Sequence, residues 1–184
     1  MININIIVAY CKNNGIGYKN TLPWYIKSDL IKFKLKTIGN KNNAVIMGKN
    51  TYNSLKNKFL IDRDNLILSS SINIDEKNNN NLIKSFSNIN KLEEFIKEKN
   101  YDELWVIGGE QIYKLFMEED KLFKINYIYV TYINKIIECD TFFPNINYSN
   151  FKFVSQEIHN TNISNNNTNL NNYIVLDIIY KSIK

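Results

Sequence analysis

The sequence predicts an α/β fold: a mostly parallel, twisted sheet of eight strands with an antiparallel strand at its C-terminal edge and about four flanking helices. Three observations carry this. Short apolar runs alternate with segments of helical spacing, the pattern of strand–helix–strand units joined by right-handed crossovers. The last two strand-like runs are instead joined directly by an Asn-rich turn, which makes them antiparallel neighbours at an edge. No repeat, linker or break in composition divides the 184 residues, so one domain over 1–184 is expected.

The elements follow in order. Ile2–Tyr10 alternates at Ile2, Ile4 and Ile6 and becomes continuously apolar through Ala9, as a strand does when both faces are buried. Asn13-Asn14-Gly15-Ile16-Gly17 is rich in turn formers and continues through Leu22-Pro23-Trp24 without periodicity, predicting a loop. Ser28 is read as the N-cap of a helix over Asp29–Lys36, with Leu30, Ile31 and Phe33 apolar. Asp29 and Phe33 are four apart and share a face of that helix. Asn43–Met47 is a buried strand, followed by Gly48 and a helix over Lys49–Leu55. Asn65–Ser69 is a strand, Lys77–Asn81 a loop, Leu82–Ser85 a short strand, and Ile89–Lys97 a helix through Leu92, Phe95 and Ile96. Glu103–Ile107 is a strand that leads into Gly108-Gly109 and a helix over Glu110–Phe116. Tyr127–Ile133 is the next strand, and Phe151–Ile158 and Leu170–Tyr180 flank the turn Asn160–Asn169.

Composition excludes more than it identifies. The chain holds 22 lysines but one arginine, Arg63, with 33 asparagines, 30 isoleucines and two alanines, a uniform bias that reads as pressure on codon usage. Its 44% hydrophobic and 13% aromatic residues can form a core, which excludes disorder. No apolar run approaches the roughly 20 residues of a membrane span. The net charge of +5 is spread over scattered lysines, so it reads as solubility and not as a nucleic-acid surface. Cys11 and Cys139 lie far apart without ligand spacing, so no metal centre is expected. The absence of a leader-like start predicts a reduced, cytoplasmic protein.

Two strand–glycine–helix junctions carry the local chemistry: Met47-Gly48-Lys49-Asn50-Thr51 and Ile107-Gly108-Gly109-Glu110-Gln111. Glycine lets a backbone approach a phosphate, and a helix start presents N–H groups to an anion. Two such junctions in one sheet fit a ligand with two phosphates, although neither matches the GxGxxG or GxxxxGK[ST] pattern. Asp29 opens an apolar helix after a loop containing Trp24, which makes it a candidate acid–base group beside the reading of an ordinary helix-dipole carboxylate. Arg63 survives a bias against arginine, which fits either a need for its planar fork, as in bidentate carboxylate binding, or chance survival on a surface loop. His159 has no partner pattern and reads as structural or surface; no Ser-His-Asp or Cys-His set is available.

Taken together, the chain resembles dihydrofolate reductases. The matching stretches are Ile7-Val8-Ala9, Gly15-Ile16-Gly17, Leu22-Pro23-Trp24, Asp29-Leu30 with Phe33-Lys34, Val45-Ile46-Met47-Gly48-Lys49 with Thr51 and Ser54, Arg63, Ile67-Leu68-Ser69, Val106-Ile107-Gly108-Gly109 with Tyr113, Thr131, and Asp140-Thr141 with Phe143-Pro144. They run in the family's order from end to end.

The resemblance implies hydride transfer from NADPH to the pterin of 7,8-dihydrofolate. It assigns Asp29 as the carboxylate that promotes pterin protonation, Thr131 as its hydrogen-bond partner and Trp24 as an indole that orders water. It places Ile7, Val8, Leu30, Phe33, Leu55, Leu60, Arg63 and Ile107 around the substrate, with Ile7 and Ile107 offering carbonyls and Arg63 gripping the glutamate tail. Ala9, Ile16, Gly17, Asn20 and Tyr113 match positions near the nicotinamide, and Gly15–Trp24 matches a lid over it. Gly48, Lys49, Asn50, Thr51, Ser69, Ser70, Ser71, Gly108, Gly109, Glu110, Gln111 and Ile112 match the remaining cofactor contacts, with Gly108-Gly109 joined by a cis peptide. A monomer is expected, with antifolates as inhibitors and no nucleic-acid or membrane partner. In some organisms the domain is fused to thymidylate synthase, so the chain is expected to be a monofunctional enzyme or one half of such a protein.

Two departures stand out. Lys56-Asn57-Lys58-Phe59-Leu60-Ile61-Asp62 replaces the family's Pro- and Gly-containing stretch before Arg63. Ser70 and Gln111 stand where many members carry an extra arginine near the cofactor's 2′-phosphate, leaving Lys49 as the main charge. The rival readings are another reductase of the same fold, such as the pyrimidine reductase of riboflavin synthesis, and a binding protein that has lost the reaction.

Overall fold

The N-terminal strand β1 (Ile2–Cys11) lies deep in the molecule because other elements pack on both its faces, completely over Ile4, Ile6 and Val8 and partly over Ile7 and Ala9. The computed structural model describes residues 1–78, 81–118, 122–163 and 171–183. After β1 come β2 (Gly15–Gly17), α1 (Lys27–Ile38), β3 (Ala44–Gly48), α2 (Lys49–Ser54), β4 (Asp64–Leu68), β5 (Asp75–Asn78), β6 (Asn81–Phe86), α3 (Ile89–Lys97), β7 (Leu104–Gly108), α4 (Glu110–Met117), β8 (Phe123–Ile133), β9 (Thr141–Phe142), β10 (Phe151–Ile163) and β11 (Asn171–Ser182). The main sheet has the order β10-β11-β8-β1-β7-β3-β4-β6-β5, and β2 pairs with β9 in a separate ribbon. The strands from β8 to β6 are mutually parallel, while β11 runs antiparallel to β8 and β10 antiparallel to β11.

The fold class is as the sequence predicts, with corrections of detail. Among the described residues the main sheet has nine strands, one more than predicted: Asp75–Asn78 adds an antiparallel edge strand beside β6. Its residues Asp75, Glu76 and Lys77 show no apolar alternation, because a solvated edge strand is stabilised by pairing and protected by charge. The predicted loop Lys77–Asn81 is therefore mostly strand at both ends, and residues 79–80 lie outside the described residues. β10 continues through residues 160–163, which had been assigned to the closing turn; the rest of that turn lies outside the described residues. α1 starts at Lys27, and its N-cap is Ile26 without a side-chain bond, so Ser28 is not the cap. The buried Ile26, packed with Trp24, fixes where the chain enters the helix.

The sheet's two faces do different jobs. One is covered by α3 and α4, whose Leu92, Ile96, Ile112 and Phe116 pack on Ile4, Ile6, Ile46, Leu66 and Val106. The other carries Val45, Met47, Ile67 and Trp105, and there Ile7, Ile107, Leu55, Leu60 and Tyr129 are only partly buried. Among the described residues, no helix is long and apolar enough to cross a membrane.

Candidate functional site

The incompletely covered face is where Asp29 lies. Asp29 stands in the first turn of α1, and the Thr131 hydroxyl of β8 donates to its Oδ1 at 2.6 Å. Burial holds the Asp29 carboxyl above the usual carboxylate range; the Thr131 bond opposes this, the nearby Asp177 charge reinforces it, and the Lys32 ammonium opposes it. An acid of this kind can keep its proton at a pH where an exposed aspartate has lost it. Beside it, the Tyr113 phenol donates to the Ile7 carbonyl at 2.9 Å. Burial pushes that phenol up, so it stays a neutral donor.

Arg63 is more enclosed than a tail-gripping surface residue would be. It is only 3% exposed, and burial lowers its guanidinium to about 10. Nε donates to the Ile61 carbonyl at 2.9 Å, Nη1 donates to Thr37 Oγ1, and the guanidinium lies 5.9 Å from the Phe33 ring centre. The cation is thus fixed in place, with its plane set by α1 and by the chain before β4. Asn65, which bonds the Leu60 amide and carbonyl at 2.8 and 2.9 Å, shapes the loop that lacks proline and glycine. Leu55, Leu60 and Phe33 are partly buried around this corner, and Leu30 is 38% exposed.

The two glycine junctions abut because β3 and β7 are neighbours, with Met47 opposite Gly108. A Cβ on Gly109 would lie 3.4 Å from the Thr51 hydroxyl, and one on Gly48 would meet Ile112 at 3.0 Å. Gly108 has φ +100°, and its Cβ would lie 2.6 Å from the Tyr113 ring, so no other residue fits there. The Gly108–Gly109 peptide is cis. Lys49 Nζ donates to Ser71 Oγ at 3.0 Å, and Ser69 and Ser71 hydroxyls lie 3.3 Å apart, which gathers one ammonium and two hydroxyls beyond the junction. Ser70, Asn50 and Gln111 are exposed, whereas the Ile112 side chain belongs to the core.

The segment after β1 is more ordered than a simple loop. Tyr18 and Thr21 exchange two backbone bonds of 3.0 Å, with Lys19 and Asn20 at φ 49° and 60°, the geometry of a type I′ turn. The Lys19 amide donates to Asp140 Oδ2 at 2.8 Å, and β2 pairs with β9. Glu110, at the start of α4, accepts from the Phe142 amide at 2.9 Å and so ties this ribbon to the second glycine junction. Cys11 and Cys139 are free thiols with sulfurs 3.9 Å apart beneath Gly15. Trp24 is buried, and its Nε1 has no hydrogen-bond partner among the described residues.

Comparison with known proteins identifies the family. The family model described as dihydrofolate reductase matches residues 3–175. The chain belongs to the dihydrofolate reductase family. The dihydrofolate reductase of Heliothis virescens is 34% identical over 163 residues, covering 85% of this chain and 86% of that protein. That of Gallus gallus is 37% identical over 84% of each chain, and that of Buchnera aphidicola subsp. Acyrthosiphon pisum 41% identical over 78% of this chain and 80% of its own. The protein is accordingly an enzyme of the oxidoreductase class.

Within this reductase, the fold brings Asp29 to Thr131, Tyr113 to Ile7, Phe33 to Arg63, and Lys49 to Ser69 and Ser71. Val8 is part of the opposite core, with Ile16 partly buried at its margin, whereas Ala9 is partly buried against the cluster of Cys11, Trp24 and Ile26. The sequence reading missed Lys32, Asp177 and the setting of His159. His159 Nε2 lies 2.8 Å from Asp177 Oδ2 and 3.1 Å from Lys32 Nζ, and Asp177 also accepts an ion pair from Lys32. Asp177 pairs with Thr131 in register, a fact held in strand pairing and not in any local motif.

Proposed function

We propose that the protein reduces 7,8-dihydrofolate to 5,6,7,8-tetrahydrofolate with NADPH, acting as one domain over 1–184 and as a monomer, and so supplies reduced folate for one-carbon metabolism and thymidylate synthesis. The observation that carries this is the Asp29 carboxyl, raised by burial and held by Thr131 at 2.6 Å on the sheet face where Ile7 and Ile107 are incompletely covered. A pterin presents an amidine-like edge, and a carboxyl group fixed by one hydroxyl matches it with two parallel hydrogen bonds. Asp29 thereby orients the ring and promotes protonation at N5, with Trp24 Nε1 as an unpaired donor for an ordering water. Arg63 accounts for the substrate's tail carboxylate, and its existing bonds to Ile61 and Thr37 fix the plane of the fork.

The chain's residues fit the cofactor. Gly48 and the Gly108-Gly109 pair form a cradle that a side chain would fill, and Lys49 with Ser69 and Ser71 offers charge and hydroxyls to a phosphate monoester. When bound, NADPH supplies the hydride. Ala9, Ile16 and Tyr113 would line the nicotinamide, and the β2–β9 ribbon would shield it from water.

The test is oxidation of NADPH, followed by its near-ultraviolet absorbance, with dihydrofolate present, then repeated with NADH and with the antifolate methotrexate. Dihydrofolate-dependent oxidation that methotrexate blocks supports the proposal. No oxidation by the folded protein refutes it.

A further inference from the structure

A chain of polar groups leads from Asp29 out to the surface, and none of it beyond Thr131 has a role in the reaction described above. Thr131 Oγ1 lies 2.6 Å from Asp29 Oδ1 and 3.3 Å from Asp177 Oδ1. A hydroxyl has one proton to donate, so the two carboxylates compete for it. Asp177, on β11, is held from its other side by Lys32 of α1 and by His159 of β10. A second choice of partner lies there. His159 Nε2 lies within reach of both the Lys32 ammonium and the Asp177 carboxylate, at 3.1 and 2.8 Å. With a proton on Nε2 it donates to Asp177; without one it accepts from Lys32. Thr131 thus chooses between two acceptors, and His159 between donating and accepting.

Glu157, His159 and Asp177 also form a cluster, with ligand atoms within 4.8 Å of one another. The Lys32 ammonium already bonds two of its members, so a cation is built into the cluster and a metal ion would have to displace it. The cluster is better understood by what it does to Thr131.

We propose that Lys32, His159 and Asp177 are positioning residues that direct the Thr131 proton to Asp29 and thereby set the pH range over which Asp29 serves the reaction. The inference rests on the reading of Asp29 as the carboxylate that serves the substrate. The groups that face Asp29 are Lys32 on its own helix, Thr131 on β8, Asp177 on β11 and the neutral Tyr113 phenol on α4; His159 and Glu157 on β10 close the outer end. With Asp177 neutralised by its two partners, Thr131 is left to bond Asp29. Removing the Asp177 charge frees Lys32 for Asp29 and favours the ionised form of Asp29. Removing Lys32 leaves Asp177 uncompensated and favours the protonated form.

The experiment is the pH profile of kcat for the full chain with NADPH and dihydrofolate, measured on the parent, Asp29→Asn, Lys32→Met, Asp177→Asn and His159→Leu. Activity that needs protonated Asp29 falls as pH rises, so Lys32→Met should move the falling limb to higher pH and Asp177→Asn to lower pH, each by about 0.5 unit or more. His159→Leu should shift it as Lys32→Met does, by less. Shifts in one direction for both charge changes, or limbs that stay in place while Asp29→Asn loses its turnover, overturn the proposal. If Asp177→Asn does not fold, Lys32→Met and His159→Leu still decide it, since unmoved limbs in both reject the role. Full turnover by Asp29→Asn rejects the reading of Asp29 itself, which is a distinct outcome.

Discussion

The two sides of β1 build their chemistry differently. Toward β7 and β3 the site is made of main chain: Gly48 and Gly108-Gly109, each followed at once by a helix, with Lys49 as the added charge. Toward β8, β11 and β10 it is made of side chains, with Asp29, Thr131, Asp177 and His159 drawn from four elements. The first region depends on shape, since any atom added at Gly108 meets a ring. The second depends on charge, and its geometry survives substitutions that its chemistry does not.

Asp29→Asn tests the charged side most sharply. Asparagine keeps the shape and the Thr131 contact, so the far-ultraviolet circular dichroism should be unchanged while kcat falls about 10²–10⁴-fold at pH 7. Near-normal turnover would leave the charged side without a function. Gly108→Ala is the counterpart on the other side: it should destabilise the fold by more than about 3 kcal/mol in a denaturant titration, whereas a loss below about 1 kcal/mol would show that the junction yields. Lys49→Met should raise the KM for NADPH about tenfold and leave that for NADH unchanged, because only the former has a phosphate for the ammonium; equal effects on both would place the charge elsewhere. Arg63→Lys should raise the KM for dihydrofolate about fivefold with kcat preserved, since a charge remains but the fork is lost.

The smallest effect is on stability, and its sign follows from the direction of the Asp29 shift. A carboxyl raised in the folded state binds its proton more tightly there than in the unfolded chain. Its favourable contribution is complete below the ordinary value of 3.8 and is lost as pH rises through the folded value. Asp29→Asn, which never ionises, should therefore melt higher than the parent at pH 7, and the advantage should vanish in acid. An equal difference at both pH values would attribute it to packing and not to charge.

How much of this was legible in the sequence divides along the same line. The glycine junctions were, because each is contiguous and the parallel order of β3 and β7 brings them together. α3 has the bounds predicted for it, since Asn88 caps the Lys91 amide at 3.0 Å and Leu92 and Ile96 face the core. Arg63 was visible through the composition, but its burial was not, because Thr37 and Ile61 reach it through tertiary folding. His159 was set aside for want of a local pattern. Its partner Asp177 lies diagonal to it across the β10–β11 ladder, and Lys32 comes from a helix 127 residues away, so only the assembled sheet reveals them. The edge strand β5 was missed because its residues follow solvent and not core.

The central place of β1 has a consequence for how the protein is made. Ile6 pairs with Val106 on one side and Ile128 on the other, so during synthesis β1 waits for two strands that follow it much later in the chain. At about 5–20 residues per second, roughly 5–25 s pass before its neighbours are synthesised. During that interval Ile4, Ile6, Ile7 and Val8 form an unpaired apolar ribbon. Completion of the sheet therefore waits on pairing between strands distant in sequence, more than on the formation of any local helix.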